Sequence, residues 1–489
     1  MTESIVTITE LPPHDTPSRR VAVIKAAITV ALAAVMVVLI AGHVHYVNGP
    51  WYWTWHWRKL PGWPLYPLMA AAAIPFVLAQ LIHDRHRKSA IALLMLGILS
   101  MELAAISQQP LGLGRIAEVT GNSVNMSYFP AAKILVQEEA KGVPRSIWME
   151  AFPDLLNQFQ YHAKFKPPGL ILIFMGLIKL VGAAKAPMIG GVLIGVLATV
   201  TAPATYGLVR YFTRDGLIAW CAASFMAMCP SLILFMPQFD QIFPAVACGL
   251  IGLWFLALRT GRAHYAIAFG LSLAASVFVT YTFLMLGIFL AVSTILFIGD
   301  NPRIHGERVI RQAIIAVACI ALFYFALYFS WNFNAWATYE AIAVMAERDF
   351  IMLQRTMPLN LPFDFMDVVM GTGYVSLPLA VMAVVHVRKL PRGNPSRRWV
   401  FLALTQVLMA IGVCMLPGEE ARLFLLFMPL IAGVAGIELA RWPAKFRGAV
   451  FIAMWVVTVA LAQNMLFLNQ GDIDKPTRTD LPVVTVISK

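Results

Sequence analysis

The chain has 489 residues, 60% of them hydrophobic and only 13% charged, with a net charge of +12 and a mean hydropathy of +0.74. An ordinary soluble domain is nearer half apolar and a quarter charged, so this composition excludes a water-soluble globule and, more strongly, a disordered chain. Gly 32 and Pro 30 without a period exclude a collagen-like or low-complexity chain. The composition fits an all-α polytopic membrane protein, a helical bundle of about 13–14 spans with the bilayer as its main solvent.

Residues 1–20 read as a cytoplasmic tail, and 21–467 as a single membrane domain. The first apolar run, 21–42, is long enough to span and is not followed by an A-x-A cleavage site, which marks a retained signal anchor. Further spans of roughly twenty apolar residues fall at 64–82, 89–107, 169–184, 188–209, 216–235, 243–258, 264–281, 282–298, 311–331, 365–386, 399–415, 423–439 and 448–467. Residues 468–489 form a non-cytoplasmic tail. Basic residues assign the sides. Arg19 and Arg20, Arg85 to Lys88, Arg210 and Arg214, Arg259 and Arg262, Arg303 to Arg311, Arg388 to Arg398 and Arg441 to Arg447 mark cytoplasmic connections. The connections between them are poorer in Lys and Arg and richer in aromatics and Pro. One stretch breaks the alternation: the chain must cross an odd number of times between Pro167 and Arg210, yet two apolar segments lie there.

The five cysteines, Cys221, Cys229, Cys248, Cys319 and Cys414, all fall inside apolar runs. None forms a C-x-x-C pair or has histidine at ligand spacing, so they read as small buried hydrophobes. The cofactor is left open, and no ligand motif supports a divalent metal.

Two sizeable outside loops, 108–168 and 332–364, are long enough to expect function. In the first, apolar residues at Tyr128, Ala131, Ala132, Leu135 and Val136 recur at helical spacing, with Lys133, Glu138, Glu139 and Lys141 opposite. This pattern predicts a surface helix over Tyr128–Ala140. The loop ends in Tyr161-His162-Ala163-Lys164-Phe165-Lys166-Pro167-Pro168-Gly169 and runs straight into a span. Prolines suit a helix start, and a helix start offers unpaired N–H groups and a positive dipole end. With Lys164 and Lys166 at the interface, this end can seat a lipid-linked phosphate; ordinary snorkelling anchors account for the lysines equally well. The aromatic run Trp51 to Arg58 reads as an interfacial belt. The second loop, with Glu347-Arg348-Asp349, Gln354 and Arg355, either covers a site or is a plain surface helix.

Lys166-Pro167-Pro168-Gly169, closing a long outside loop and opening a span, resembles the H/K-P-P-L/G signature of the C-type superfamily of integral membrane glycosyltransferases. That superfamily includes protein O-mannosyltransferases and the lipid A aminoarabinose transferase. Three further stretches are similar in order and sidedness: Tyr128 to Ala132; Pro230 to Asp240, ending Met236-Pro237-Gln238-Phe239-Asp240; and Arg422 to Pro429. The resemblance covers roughly residues 89–440. It implies glycosyl transfer, with inversion, from a polyprenyl-phosphate-linked sugar to a glycan, lipid or protein acceptor on the non-cytoplasmic face of a cell membrane. Such chemistry needs a carboxylate to accept the acceptor's proton and cations to hold the leaving phosphate. The relatives carry an acidic pair just before the tyrosine, whereas Asn122 to Ser127 holds no acid. The resemblance therefore points to Glu118, Asp240 and Asp154 as candidate catalytic carboxylates, in that order. Lys166, Lys164 and Arg422 are the implied phosphate ligands, with His162 and Tyr128 beside them. Two plainer roles stand beside these: Asp240 as an N-cap of the next helix, and Arg422 as a local partner of Glu419 and Glu420.

Two other functions compete. A carrier or flippase needs ionisable residues at mid-membrane, and only Glu102, Lys179 and Glu438 approach that, each nearer a span end. A non-catalytic relative of the transferases fits the missing acid. The basic loops are short and explained by topology, so membrane lipids and no nucleic acid are expected as partners.

Overall fold

The computed structural model describes residues 17–44, 55–57, 59–122, 126–159, 161–299, 302–352, 361–413, 422 and 424–467. The protein is an all-α helical bundle. Helices α1 (Arg19–Ala41), α2 (Gly62–Ala72), α3 (Ile74–Ile82) and α4 (Arg87–Ser107) precede the first long loop. Within that loop lie α5 (Gly114–Asn122), α6 (Tyr128–Ala140), α7 (Arg145–Glu150), α8 (Phe152–Leu155) and α9 (Tyr161–Lys164). Then follow α10 (Gly169–Val181), α11 (Ala186–Ala198), α12 (Thr201–Thr213), α13 (Gly216–Ala227), α14 (Pro230–Leu234), α15 (Phe243–Thr260), α16 (Ala263–Val279), α17 (Leu286–Gly299) and α18 (Pro302–Trp331). The chain continues through α19 (Ala335–Met352), α20 (Leu361–Gly371), α21 (Ser376–Val387), α22 (Pro395–Val413), α23 (Met428–Leu439) and α24 (Ala444–Asn464).

Among the described residues, seven helices are long and apolar enough to cross a membrane, and an eighth is formed if the bent pair Phe365–Gly371 and Ser376–Val387, at 99°, is one span. Five shorter apolar helices accompany them, among them Gly169–Val181. Helices suit this solvent because hydrocarbon cannot satisfy a backbone N–H or C=O. The chain also carries a short antiparallel ladder that the sequence reading lacks. Within the aromatic run, Trp55–Trp57 (β1) pairs with Met465–Phe467 (β2), Trp55 opposite Phe467.

Small residues allow the spans to pack closely. A Cβ at Gly436 would lie 2.6 Å from the Ile218 carbonyl oxygen, so α23 and α13 approach at backbone distance. Helix ends on the basic side are satisfied by side chains: Asp215 accepts from the amides of Leu217 and Ile218 at 2.8 and 2.9 Å and caps α13. Arg308 and Arg311 donate to the carbonyls of Arg259 and Gly261 at 3.0 Å, completing the end of α15. Glu438 is fully buried and accepts from Arg441 at 3.1 Å, from the Trp442 indole at 2.8 Å and from Lys25 of α1. One carboxylate thus joins the first helix to α23 and to the turn that follows it. Cys221, Cys229 and Cys248 are buried and Cys319 half-buried, all as free thiols; Cys414 lies outside the described residues.

The loop helix α6 has the bounds the periodicity predicts, and Lys133 is exposed as expected, but Glu138 is buried and paired with Lys141 at 2.8 Å. The helix α6 does not lie alone on a surface. It packs along α10, with Phe129 edge-on to Phe174 at 5.9 Å. At the far end of α10, Lys179 pairs with Glu139 of α6, and just beyond it Pro187 meets Gly121 of α5. Both ends of α10 therefore touch the same loop, and its 13 residues, about 20 Å at 1.5 Å each, fall short of the hydrocarbon thickness. The odd number of crossings between Pro167 and Arg210 follows: α10 returns to the loop side, and Ala186–Thr213 is the one crossing. Cysteine placed at Ala184 is expected to react with an impermeant maleimide from the same side as cysteine at Asp154, and cysteine at Arg392 from the opposite side. Labelling of Ala184 with Arg392 would restore α10 as a span.

Glu139 ties the loop together. Burial raises its carboxyl pKa, but hydrogen bonds from Arg145, Lys179 and the Trp148 indole outweigh burial and leave it below the ordinary value. A carboxyl lowered by folding stabilises above its unfolded pKa, and that contribution is lost as pH falls through the folded value. Loop opening, read by amide hydrogen exchange in α6 and α7, is expected to rise steeply below about pH 4, and Glu139→Gln is expected to flatten that dependence.

Candidate functional site

The loop-side ends of several helices gather around one turn, Phe239–Ile242, between α14 and α15. Phe239 stacks edge-on to Phe174 at 5.9 Å, so the aromatic series Phe129, Phe174, Phe239 fixes this turn against α10 and α6. Asp240 is 7% exposed and faces Arg422, itself 2% exposed, with Arg422 Nε 3.3 Å from Asp240 Oδ2. The N-cap role for Asp240 is absent: α15 follows Ile242 without a side-chain cap. Glu419 and Glu420 lie outside the described residues.

Next to Asp240, Gln241 is fully buried and its amide nitrogen donates to Glu102 Oε1 at 2.9 Å and to the Leu232 carbonyl. Glu102 is fully buried in α4, and its second oxygen lies 3.1 Å from where a Cβ at Gly195 would stand.

Lys166 reaches the same region from the end of the loop. Its ammonium donates to Thr280 Oγ1 at 3.0 Å and lies 5.7 Å from the centroid of the Phe243 ring, one turn beyond Asp240. The hydroxyl of Thr280 also accepts from the Thr282 amide at 3.3 Å, capping the turn that leads into α17. The glycine of the K-P-P-G stretch is sterically required. A Cβ at Gly169 would sit 2.4 Å from the Phe278 carbonyl oxygen, so α10 begins hard against the end of α16 and holds Lys166 beside Thr280. Lys164 is half-buried with its ammonium 4.7 Å from the Phe165 ring centroid. The short helix carrying it, α9, is docked by the Ala163 amide, which donates to Ser127 Oγ at 3.0 Å. His162 is half-buried on α9, and Tyr128 is buried at the start of α6.

The other two carboxylates stand apart. Ile116 and Thr120 of α5 face α11 and the Met236–Pro237 corner, where a Cβ at Gly191 would touch Ile116, Thr120 and Pro237. At 100° per residue Glu118 is on the opposite face of α5. It is half-buried, with one carboxylate oxygen shielded from solvent and without a hydrogen-bond partner among the described residues. Asp154 is exposed on α8, which packs toward α19. Asp240, Arg422 and Lys166 thus converge on one turn and its helix, while Glu118 and Asp154 do not join them.

Sequence reasoning missed Gln241 and Thr280. Thr280 had a readable signal, a threonine closing one apolar run and opening another as a cap. For Gln241 the sequence offers none, since its partners lie on α4 and α14. Among the described residues, no three His, Cys, Asp or Glu side chains gather as a metal site.

No family model matches the chain, and no curated protein does. The reading of the site therefore rests on its geometry.

The Asp240–Arg422 pair is removed from water, so deleting one partner leaves an uncompensated buried charge at a cost of about 3–5 kcal/mol. Arg422→Gln is expected to lower the melting temperature of the detergent-solubilised protein, and adding Asp240→Asn to it should restore a large part of the loss. If the double variant is as unstable as the sum of the singles, the two side chains are not coupled.

Proposed function

We propose that the protein transfers a glycosyl group from a polyprenyl-phosphate-linked sugar to a glycan, lipid or protein acceptor on the non-cytoplasmic face of a cell membrane, that of a bacterial cytoplasmic membrane. The observation that carries this reading is the meeting of a carboxylate and two cations at the loop-side ends of the spans, where a lipid tail would hold its phosphate. Arg422 engages Asp240 through Oδ2, and the Asp240 carboxylate would accept the proton of an acceptor hydroxyl. As that hydroxyl oxygen bonds to the anomeric carbon, the bond from this carbon to the phosphate oxygen breaks, and polyprenyl phosphate departs with the electron pair. Lys166, with Lys164 and Arg422, would hold the growing charge through charge-assisted hydrogen bonds. Asp240 stands ahead of Glu118 as the base on this geometry, and Asp154 last.

A carrier is the second reading. It is favoured by Glu102, an ionisable side chain fully buried within a span beside Gln241.

Sugar transfer by purified protein in liposomes, with a polyprenyl-phosphate sugar as donor, separates the readings. Asp240→Asn is expected to lower the rate by roughly a hundred- to ten-thousandfold, and Lys166→Ala to weaken donor affinity by roughly ten- to a hundredfold. Glu118→Gln and Asp154→Asn should transfer at near-parental rates. Normal transfer by Asp240→Asn together with loss in Glu118→Gln would move the base to α5. Absence of transfer with any donor, alongside Glu102-dependent lipid or solute flux, would establish the carrier.

A further inference from the structure

On the basic side of the bundle, away from the candidate site, a cavity of about 300 Å³ opens between α17 and α22, a volume at the lower end of small-ligand pockets. Its lining has two parts. Arg392, Arg397 and Arg398 are the charged part, and Val292, Leu296, Phe401, Leu402 and Thr405 are the largely apolar part. The arginines belong to the connection before α22 and its first turn. From Arg397 to Thr405 the wall then descends eight residues, about 12 Å, into the span.

The walls are firmly placed. Trp399 is buried against Gly433 of α23, where a Cβ would lie 2.3 Å from its indole nitrogen, and that indole donates to the Leu430 carbonyl at 3.3 Å. Gln406 donates to the Met285 carbonyl at 3.1 Å and so fixes α22 to the start of α17. The Arg397 guanidinium donates one bond, to the Leu390 carbonyl at 2.6 Å, and lies 5.8 Å from the Phe401 ring centroid. A guanidinium has five N–H donors, so most of its fork remains for an anion. Arg392 is exposed.

Positive residues at helix ends are ordinary topology markers, but a marker does not require an apolar trough beneath it. Here Leu296 is 46% and Phe401 40% exposed, so the apolar part of the cavity is open at its side, where acyl chains would lie against apolar helices. A soluble anion would meet only the arginines. A lipid would meet both parts, its phosphodiester at the guanidiniums and its first methylenes along Leu296 and Phe401. We infer that this cavity is a binding site for an anionic phospholipid of the basic-side leaflet.

The test uses the full-length chain in detergent, with native mass spectrometry and thermal shift as readouts. The ligands are dioctanoyl-phosphatidylglycerol, dioctanoyl-phosphatidylcholine and inorganic phosphate. Phosphatidylglycerol is expected to bind about tenfold more tightly than phosphatidylcholine, with inorganic phosphate failing to displace it at equal concentration. Arg397→Gln is expected to remove that preference. Thr405→Trp, which fills the trough from an exposed position and keeps every charge, is expected to weaken phosphatidylglycerol about tenfold as well. Arg85→Gln, an exposed basic-side arginine outside the cavity, should bind as the parent does. Equal binding of the two lipids, displacement by phosphate, parental binding by Thr405→Trp, or an Arg85→Gln loss matching that of Arg397→Gln would each overturn the assignment.

Discussion

Hydrocarbon gives no hydrogen bond to a group that lacks one, and the arrangement of this protein follows from that constraint. It makes the spans helical, and it also bears on the polar side chains placed among them. Glu438 takes three donors, the Gln241 amide donates to Glu102, and Arg308 and Arg311 complete the exposed end of α15. Asp240 and Arg422 are two charges that could not be left singly at their depth. These groups are placed where another segment of the chain answers them, and on the loop side one such meeting, of Asp240 with Arg422, underlies the proposed function.

Much of the local structure was legible in the sequence because its causes are local. The bounds of α6 follow from apolar spacing within thirteen residues, and the positions of α1, α4 and α24 follow from long apolar runs with few charges. What escaped depends on partners far along the chain. Trp55–Trp57 reads as an interfacial belt until Met465–Phe467 pairs with it. Glu139 reads as a solvated acid until Lys179 of α10 pairs with it. Residues 169–184 read as a span because apolar composition does not distinguish a helix that crosses lipid from one that packs on protein and turns back.

The candidate site divides along the same line. Its members, Lys166, Asp240 and Arg422, could each be named from residue type and from position at a span end. Their grouping could not, since it depends on Gly169 bringing α10 against Phe278 and on an aromatic series fixing the turn at Phe239. Glu118 shows the converse. It is the nearest acid upstream of Tyr128, yet the face of α5 it occupies is set by Ile116 and Thr120, which α11 claims. Proximity in sequence gave a first choice of base, and helical phase gave another.

The bond between Lys25 and Glu438 has a bearing on how the molecule is made. The two residues are 413 positions apart, so a ribosome delivers α1 to the insertion machinery long before it has synthesised the carboxylate that will neutralise it. Through that interval Lys25 must keep its ammonium at the headgroups by stretching its stem toward the interface. Only when α23 arrives can the side chain draw inward to 20% exposure. The first helix therefore waits at the rim of the growing bundle, and the last helices complete the assembly by recruiting it, so the termini are the latest joint to form and the first that a premature stop would leave open.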